Sequence, residues 1–387
     1  MKTVLYWSPC LTKIGTIKST INSAIALSKY SKNECKVKII NSCGEWDEHI
    51  DTFKANNIDV INFKNNFFSY LPKNGFLKSR ISYLIIILFS FLPLIKILKK
   101  DKPEFIIMHL ITSLPLFINN FFKLDTKFIL RISGFPKLNI WRKILWKFSA
   151  KKIFKVTCPT QDLFLDLKKK KIFPDNKLFY LQDAIINIKD YIKFKNQKVL
   201  YENERSKNFF LSVGRLTKQK NYSYLISEFS QHLKIYKNDL LYIVGEGEEK
   251  SNLTKQIFKN NLTKNIFLLG KRDNIYSYMK NAKALILSSL WEEIGFVIVE
   301  AAFSNLLVIS SDCPNGPTEF LENGRAGYLY KSNKKNELSK KLEKFNKEKE
   351  EVNLKNFIIK AKKNSSNYTL FRHYLNLKEI LKSENKI

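Results

Sequence analysis

The sequence predicts an α/β protein of two domains, each a parallel sheet covered by helices. Three observations carry this. First, short continuous apolar runs alternate with helical lengths through both halves of the chain, the pattern of strands buried on both faces. Second, the pattern lapses over residues 183–208, a mostly polar stretch without sustained period that divides 387 residues into two portions of domain size. Third, successive strand-like runs of the second half each end in glycine or charge, as expected where the carboxyl edge of a parallel sheet converges on a ligand crevice.

In the first domain, residues 1–182, strand-like runs fall at 3–7, 37–40, 58–63, 105–108, 128–131 and 154–157. Gly15 reads as a loop residue before a helix near 17–30, and His109 ends the run 105–108. The stretch ISYLIIILFSFLPLIKIL at 81–98 reaches the length of a membrane span but contains Pro93 and Lys96. It reads as a helix packed in the fold, or as one with a face touching a bilayer. The second domain, 209–365, has strand-like runs at 209–213, 240–244, 266–269, 284–287 and 307–310, with helical segments near 221–235, 249–260, 274–281 and 296–304. Residues 183–208 read as a linker. The end of the chain, 366–387, carries an apolar helical period and is expected to return to the first domain.

The charge is +32, from 67 basic and 35 acidic residues. Nucleic acid, an anionic membrane surface and acidic small molecules all suit such a balance. So does a general bias toward lysine, which is used even where a surface need only be polar. The aromatics lie mostly in apolar runs and no reader motif is present, so a nucleic-acid partner is not expected. Cys10, Cys35, Cys43, Cys158 and Cys313 are scattered without metal-ligand spacing, which suits reduced thiols in a cytoplasmic protein. The start MKTVLYWSPC lacks the pattern of a secretory signal.

The strand ends of the second half hold the candidate ligand groups. Gly214 and Arg215 follow the first run, Gly245 and Gly247 the second, Arg272 the third, and Glu292 to Gly295 the fourth. Glycine there admits backbone close to a ligand, though it also ends strands for reasons of turn geometry alone. Arg215 offers a rigid fork and Lys220 a mobile point charge, both suited to a diphosphate. Gly295 is expected to open a helix, with Glu292 in the loop before it and Glu300 inside it, so the two carboxylates reach different parts of one ligand. No GxxxxGK[ST] element occurs, and neither half opens with GxGxxG, so triphosphatase and dinucleotide readings are not supported.

SVGRLTKQKNYSYLI, the IVGEGEE run and SSLWEEIGFVIVEAAFSNLLVISSDCPNGPTEFLENGRAGYLY closely resemble the large retaining glycosyltransferase family called family 4. The resemblance is specific from about 209 to 330 and holds weakly, in order, over the first 180 residues. It implies the GT-B architecture of two facing Rossmann-like domains, the second holding a nucleotide-sugar and the first an acceptor. It implies metal independence and no cofactor. Arg215 and Lys220 match the family's diphosphate pair. Glu292 and Glu300 form its E-x7-E signature, the first toward the donor sugar and the second on ribose. Gly15 matches a glycine loop near the donor, and His109 matches, loosely, a histidine near the reacting sugar. Gly214, Gly245, Gly247, Arg272, Gly295 and Phe296 complete the expected donor site.

Two departures stand out. Glu293 and Ile294 replace the middle pair of the usual E-G-F-G, and the N-terminal loop has one glycine where many members have two. The phrase DCPNGPTEFL is close to forms found in transferases of bacterial surface polysaccharides and glycolipids, so the expected acceptor is a glycan or lipid-linked glycan, and the resemblance implies a UDP-sugar donor, with guanine as the alternative base. The family implies front-side attack with retention rather than a covalent intermediate. A non-hydrolysing nucleotide-sugar epimerase and an inactive assembly partner are the rival readings. Phe67, Phe68, Tyr70, Leu71, Phe76 and Leu77, interspersed with Lys64, Lys73, Lys78 and Arg80, add the expectation of a peripheral contact with the inner face of the membrane.

Overall fold

The computed structural model describes residues 1–11, 15–63, 68, 76–199, 209–348 and 352–382. Two compact units result, one of Met1–Ala184 with Leu370–Ile387, the other of Ile185–Thr369.

The first unit is a seven-stranded sheet in the order β3-β2-β1-β4-β5-β6-β7. Its strands are β1 (Lys2–Trp7), β2 (Cys35–Asn41), β3 (Ile58–Asn62), β4 (Phe105–Met108), β5 (Lys127–Arg131), β6 (Lys155–Cys158) and β7 (Leu178–Tyr180), every pair parallel. Side-chain alternation along β1 sends Val4 and Tyr6 into one core and Leu5 and Trp7 into the other. Helices therefore cover both faces, as an all-parallel sheet requires. Helix Gly15–Tyr30 lies on the Val4 side together with the terminal helix Leu370–Lys382, whose Leu370, Leu377 and Leu381 are buried there. Helix Phe76–Lys100 contributes Leu94 and Leu98 to the opposite core.

The second unit is a six-stranded sheet in the order β10-β9-β8-β11-β12-β13. These strands are β8 (Phe209–Val213), β9 (Leu240–Val244), β10 (Ile266–Gly270), β11 (Leu285–Leu287), β12 (Val308–Ser311) and β13 (Tyr328–Tyr330), again all parallel. Phe209 and Leu211 enter one core and Phe210 the other. In both sheets the strand order reverses beside the first strand of the unit, between β1 and β4 and between β8 and β11, which is where open α/β sheets hold ligands.

Several boundaries differ from the sequence expectation. Gly15 is the first residue of its helix and not a loop residue. Residues 183–208 are not a plain linker: Asp183 and Ala184 are buried in the first unit, Ile185 and Ile186 enter the core of the second, and Ile188–Phe194 is helical. Residues 200–208 lie outside the described residues. Of the expected terminal segment 366–387, Ser366–Tyr368 forms a turn of the second unit before the helix begins. Tyr368 O there accepts from Ile185 N at 2.8 Å and Ile186 N at 2.9 Å.

The first unit secures the stretch 182–184 with buried polar contacts. Asp183 Oδ1 accepts from Arg131 Nη2 at 2.5 Å and from Ser19 Oγ at 2.7 Å. Asn22 Nδ2 donates to Ala184 O at 2.9 Å, and His373 Nδ1 lies 2.6 Å from Gln182 O. Arg131 and Asp183 are both buried, so each charge depends on the other for its place inside the protein. Asp183→Ala strands the Arg131 guanidinium, and removing one partner of a buried pair costs about 3–5 kcal/mol. A urea titration of the variant at neutral pH is expected to show that loss. A loss below about 1 kcal/mol would contradict the dependence.

Candidate functional site

At the carboxyl edge of the second sheet, loops are joined backbone to backbone. Gly214 N donates to Val244 O at 3.0 Å, Gly245 N to Gly270 O at 2.9 Å, and Leu216 N to Glu246 O at 2.9 Å. Such contact leaves no room for side chains. A Cβ on Gly245 would stand 1.9 Å from Gly214 O, at a φ of +150°, and a Cβ on Gly247 would stand 2.3 Å from Leu216 O. The glycines expected from the sequence thus bring the loops after β8 and β9 into contact.

Lys220 sits at the end of the turn Lys218–Lys220, with its stem passing over Gly214. Its Nζ donates to Glu292 Oε1 in a largely buried ion pair. The same carboxylate oxygen accepts from Ser289 Oγ at 2.6 Å. Ser288 Oγ donates to Lys220 O at 2.7 Å, and Leu290 N to Gln219 O at 2.8 Å, so the loops after β8 and β11 are fastened at several points. Arg215 is exposed, and its guanidinium has no hydrogen bond or ion pair among the described residues. A charged fork held on a fixed loop beside a buried lysine suits a multiply charged anion.

Gly295, at φ +74°, precedes helix Phe296–Phe303, in which Phe296 is half-buried and Glu300 buried. Tyr276 packs near enough to Glu300 for that charge to reinforce the burial that pushes its phenol pKa upward. Arg272 is half-buried after β10, with Nη1 donating to Lys271 O at 3.3 Å. The departure at Glu293 and Ile294 has a packing meaning: Ile294 is a core residue, and Glu293 O accepts from Gly316 N at 2.6 Å. A Cβ on Gly316 would lie 2.1 Å from that oxygen. Sequence reasoning missed Gly316, Ser289 and Asn315, whose Nδ2 donates to Glu292 O at 3.1 Å. The NGP triplet around Gly316 was the available signal.

Gly15 and His109 belong to the first unit. No atom lies within 4 Å of a Cβ built on Gly15. His109 Nδ1 lies 3.2 Å from Thr20 Oγ1, on the helix that Gly15 begins, and Thr20 Oγ1 donates to Thr16 O at 2.8 Å. The Thr20 proton is committed to a carbonyl, so the bond is made by His109 Nδ1–H, which leaves Nε2 as a lone-pair acceptor. Nε2 is buried with no hydrogen-bond partner among the described residues. Burial, then the charges of Arg131 and His373, hold the imidazole well below its usual pKa, so it is neutral.

His109 and Arg131 line a cavity of about 870 Å³ within the first unit. Beside it runs an apolar face. Leu88 and Leu92 of helix Phe76–Lys100 are each 72% exposed, and Ile140 and Trp141 of helix Ile140–Ser149 are 75% and 80% exposed. Aromatic contacts link the two helices through helix Ser113–Phe121: Phe91 to Phe117 at 6.3 Å, Phe117 to Phe121 at 4.5 Å, and Phe121 to Phe148 at 6.1 Å. Arg80–Lys100 is long and apolar enough to cross a membrane, with 28% of its apolar window buried. Of the basic and aromatic residues expected to touch a membrane, 64–67 and 69–75 lie outside the described residues, as do the side chains of 76–79. Among the described residues no group of three His, Cys, Asp or Glu is placed to hold a metal ion.

Two parallel-sheet Rossmann-like units on one chain, with charged groups at the strand ends of the second, define the GT-B class of glycosyltransferase folds. The family model of the group 1 glycosyl transferases matches residues 193–364. An uncharacterized glycosyltransferase of Methanocaldococcus jannaschii is 32% identical over 250 residues, covering 59% of this chain and 60% of that one. An N-acetylgalactosamine-N,N'-diacetylbacillosaminyl-diphospho-undecaprenol 4-alpha-N-acetylgalactosaminyltransferase of Campylobacter jejuni is 31% identical over 143 residues, 37% of this chain and 38% of the relative. The chain therefore spans less than two thirds of the length of either relative. An Anabaena protein solved in complex with UDP shares the fold, with a TM-score of 0.72 at 15% identity over 99% of this chain and 100% of that one.

Gly245→Ala is expected to displace the Gly214–Leu216 loop, because its Cβ would collide with a backbone carbonyl and backbone has nowhere to yield. Strain at positive φ adds about 1–3 kcal/mol. Calorimetry should show at least tenfold weaker binding of a nucleoside diphosphate, together with a lower melting temperature. Unchanged binding would mean that the joined loops do not shape a ligand site.

Proposed function

We propose that the chain transfers a sugar from a nucleotide diphosphate sugar, a UDP-sugar, to a glycan or lipid-linked glycan acceptor with retention at the anomeric carbon. One observation carries the reading: Lys220 and Glu292 are in contact beside the glycine-joined loops, so a group suited to phosphate and a group suited to sugar hydroxyls adjoin. The Anabaena neighbour with bound UDP and the Campylobacter relative named for an undecaprenol-linked substrate support the choice of donor base and acceptor class.

In this reaction the bond from the anomeric carbon to the diphosphate oxygen breaks, and a bond to the acceptor oxygen forms on the same face. The acceptor proton passes to the departing phosphate oxygen. Arg215, Lys220 and backbone N–H groups at the strand ends stabilise the charge that grows on the diphosphate, commonly a large catalytic contribution. Glu292 orients the transferred sugar and Glu300 the ribose. Gly245, Gly247, Arg272, Gly295 and Phe296 shape the donor site. His109, a neutral acceptor through Nε2, takes a hydrogen bond from a substrate hydroxyl.

The two glutamates are separable by experiment. Glu300→Gln is expected to weaken both UDP and the intact donor, since ribose is common to both. Glu292→Gln should leave UDP affinity within about twofold and lower turnover at least tenfold, because its contact exists only with a sugar present. Calorimetry with UDP and steady-state rates on both variants decide the matter. Loss of UDP binding in Glu292→Gln with full activity in Glu300→Gln would overturn these roles.

The reading includes peripheral attachment to an anionic membrane through the apolar face of the first unit. Helices Phe76–Lys100, Ser113–Phe121 and Ile140–Ser149 contain no acidic residue, and the first and third carry basic ones, so the aromatic and aliphatic side chains are bordered by one sign of charge. Sedimentation with vesicles rich in phosphatidylserine should show binding that falls with salt and weakens in Trp141→Ser/Phe148→Ser. Equal binding to neutral vesicles, or none to either, would refute it.

A further inference from the structure

The cavity of the first unit combines four features, of which the proposed reaction uses only His109 Nε2. Arg80, Arg131, Lys137 and Arg142 line it, and none of the described residues lining it carries a carboxylate. Asp183 holds one end of Arg131 from outside that lining. Lys137 and Arg142 have no ion pair among the described residues, and Arg142 spends only Nη1 on a protein acceptor, Lys137 O at 2.8 Å. Polar groups without partners also line the cavity: His109 Nε2, on a residue 6% exposed, and the buried Ser133 Oγ.

Backbone strain falls on the same wall. Ile111 adopts a φ of +45°, an outlier for a β-branched residue, and its carbonyl accepts from Trp7 Nε1 at 3.2 Å. Trp141 and Leu145, also in the lining, belong to helix Ile140–Ser149, whose Ile140, Ile144 and Phe148 form the exposed apolar face. A concentration of cations, unpartnered polar atoms and an adjoining greasy surface calls for an occupant with a multivalent anion at one end and hydrocarbon at the other.

We infer that this cavity binds the phosphate or diphosphate group of an amphipathic acceptor, with Lys137 and Arg142 as the principal anion contacts and the acceptor's apolar chain lying along helix Ile140–Ser149. The inference rests on the proposed reading of the chain as a transferase to a lipid-linked acceptor, and it adds which chemical group is recognised and by which residues. A phosphate fixed there anchors the acceptor while leaving its sugar end free to reach the neutral His109 side of the cavity.

The test uses the full chain with its donor site saturated by UDP, so that added phosphate cannot bind there. Farnesyl diphosphate, inorganic diphosphate and farnesol are titrated, read by calorimetry and by the fluorescence of Trp141 and Trp146. Farnesyl diphosphate is expected to bind more tightly than either fragment. Lys137→Ala/Arg142→Ala should weaken it about tenfold or more, as loss of charge-assisted hydrogen bonds does. Both residues are exposed, so the variant should fold. The charge-matched control Lys255→Ala/Lys259→Ala, on an exposed helix face of the second unit, should bind within about twofold of the parent, as a surface change remote from a ligand does. Absence of binding, equal binding of farnesol, or an equal loss in the control would overturn the inference. Tighter or equal binding of inorganic diphosphate would reduce the site to one for a free phosphate. Failure of UDP itself to bind would sink the donor reading and leave the cavity result intact.

Discussion

The ion pair between Lys220 and Glu292 is the contact around which the carboxyl edge of the second unit's sheet is organised. Taking a lysine and a glutamate out of water is costly, and the cost is offset only where geometry and further hydrogen bonds are good. Here Ser289 completes the carboxylate, and the bonds from Ser288 Oγ to Lys220 O and from Leu290 N to Gln219 O hold the two loops at the spacing the pair needs. The pair keeps a cation and a carboxylate fixed before any ligand arrives. Preorganisation of this kind lowers the reorganisation needed when charge develops on a leaving group.

Glycine makes that arrangement possible. The loops after β8 and β9 approach so closely that any side chain at Gly245 or Gly247 would overlap a carbonyl oxygen, and Gly316 allows the same between the loops after β11 and β12. In each case a backbone amide finds a backbone acceptor, so closely packed loops leave those amides satisfied. The first unit uses the same kind of sheet differently. Its strand-order reversal adjoins a cavity walled by His109, Arg131 and an aromatic helix, with the strained Ile111 backbone at the turn. Cationic side chains sit beside apolar surface there, in contrast to the backbone-lined edge of the second unit.

Much of this was legible in the chain. Apolar runs located eleven of the thirteen strands because buried parallel strands leave a continuous signal. The three-residue strands β7 and β13 were missed, whereas β11, equally short, was found because Ala284 extends its apolar run. Ile185 and Ile186 read as isolated apolar residues in a polar stretch, and only packing revealed them as core. The E-x7-E spacing of Glu292 and Glu300 and the glycines at strand ends marked the candidate site in advance, since these features are local.

What the sequence determined by itself was the two-unit α/β plan, a resemblance to one family, and the residue types available at each strand end, because periodicity and short motifs are written within a few residues of one another. Tertiary structure decided the rest. Lys220 meets Glu292 across 72 positions, and Arg131 meets Asp183 across 52. His109 became a neutral acceptor only when burial and Thr20 fixed its proton. Helices far apart in sequence acquired one exposed aromatic face because Phe91, Phe117, Phe121 and Phe148 came into contact. Pairing, protonation and exposure depend on distances in space, and a linear pattern does not encode distances between residues the sheet brings together.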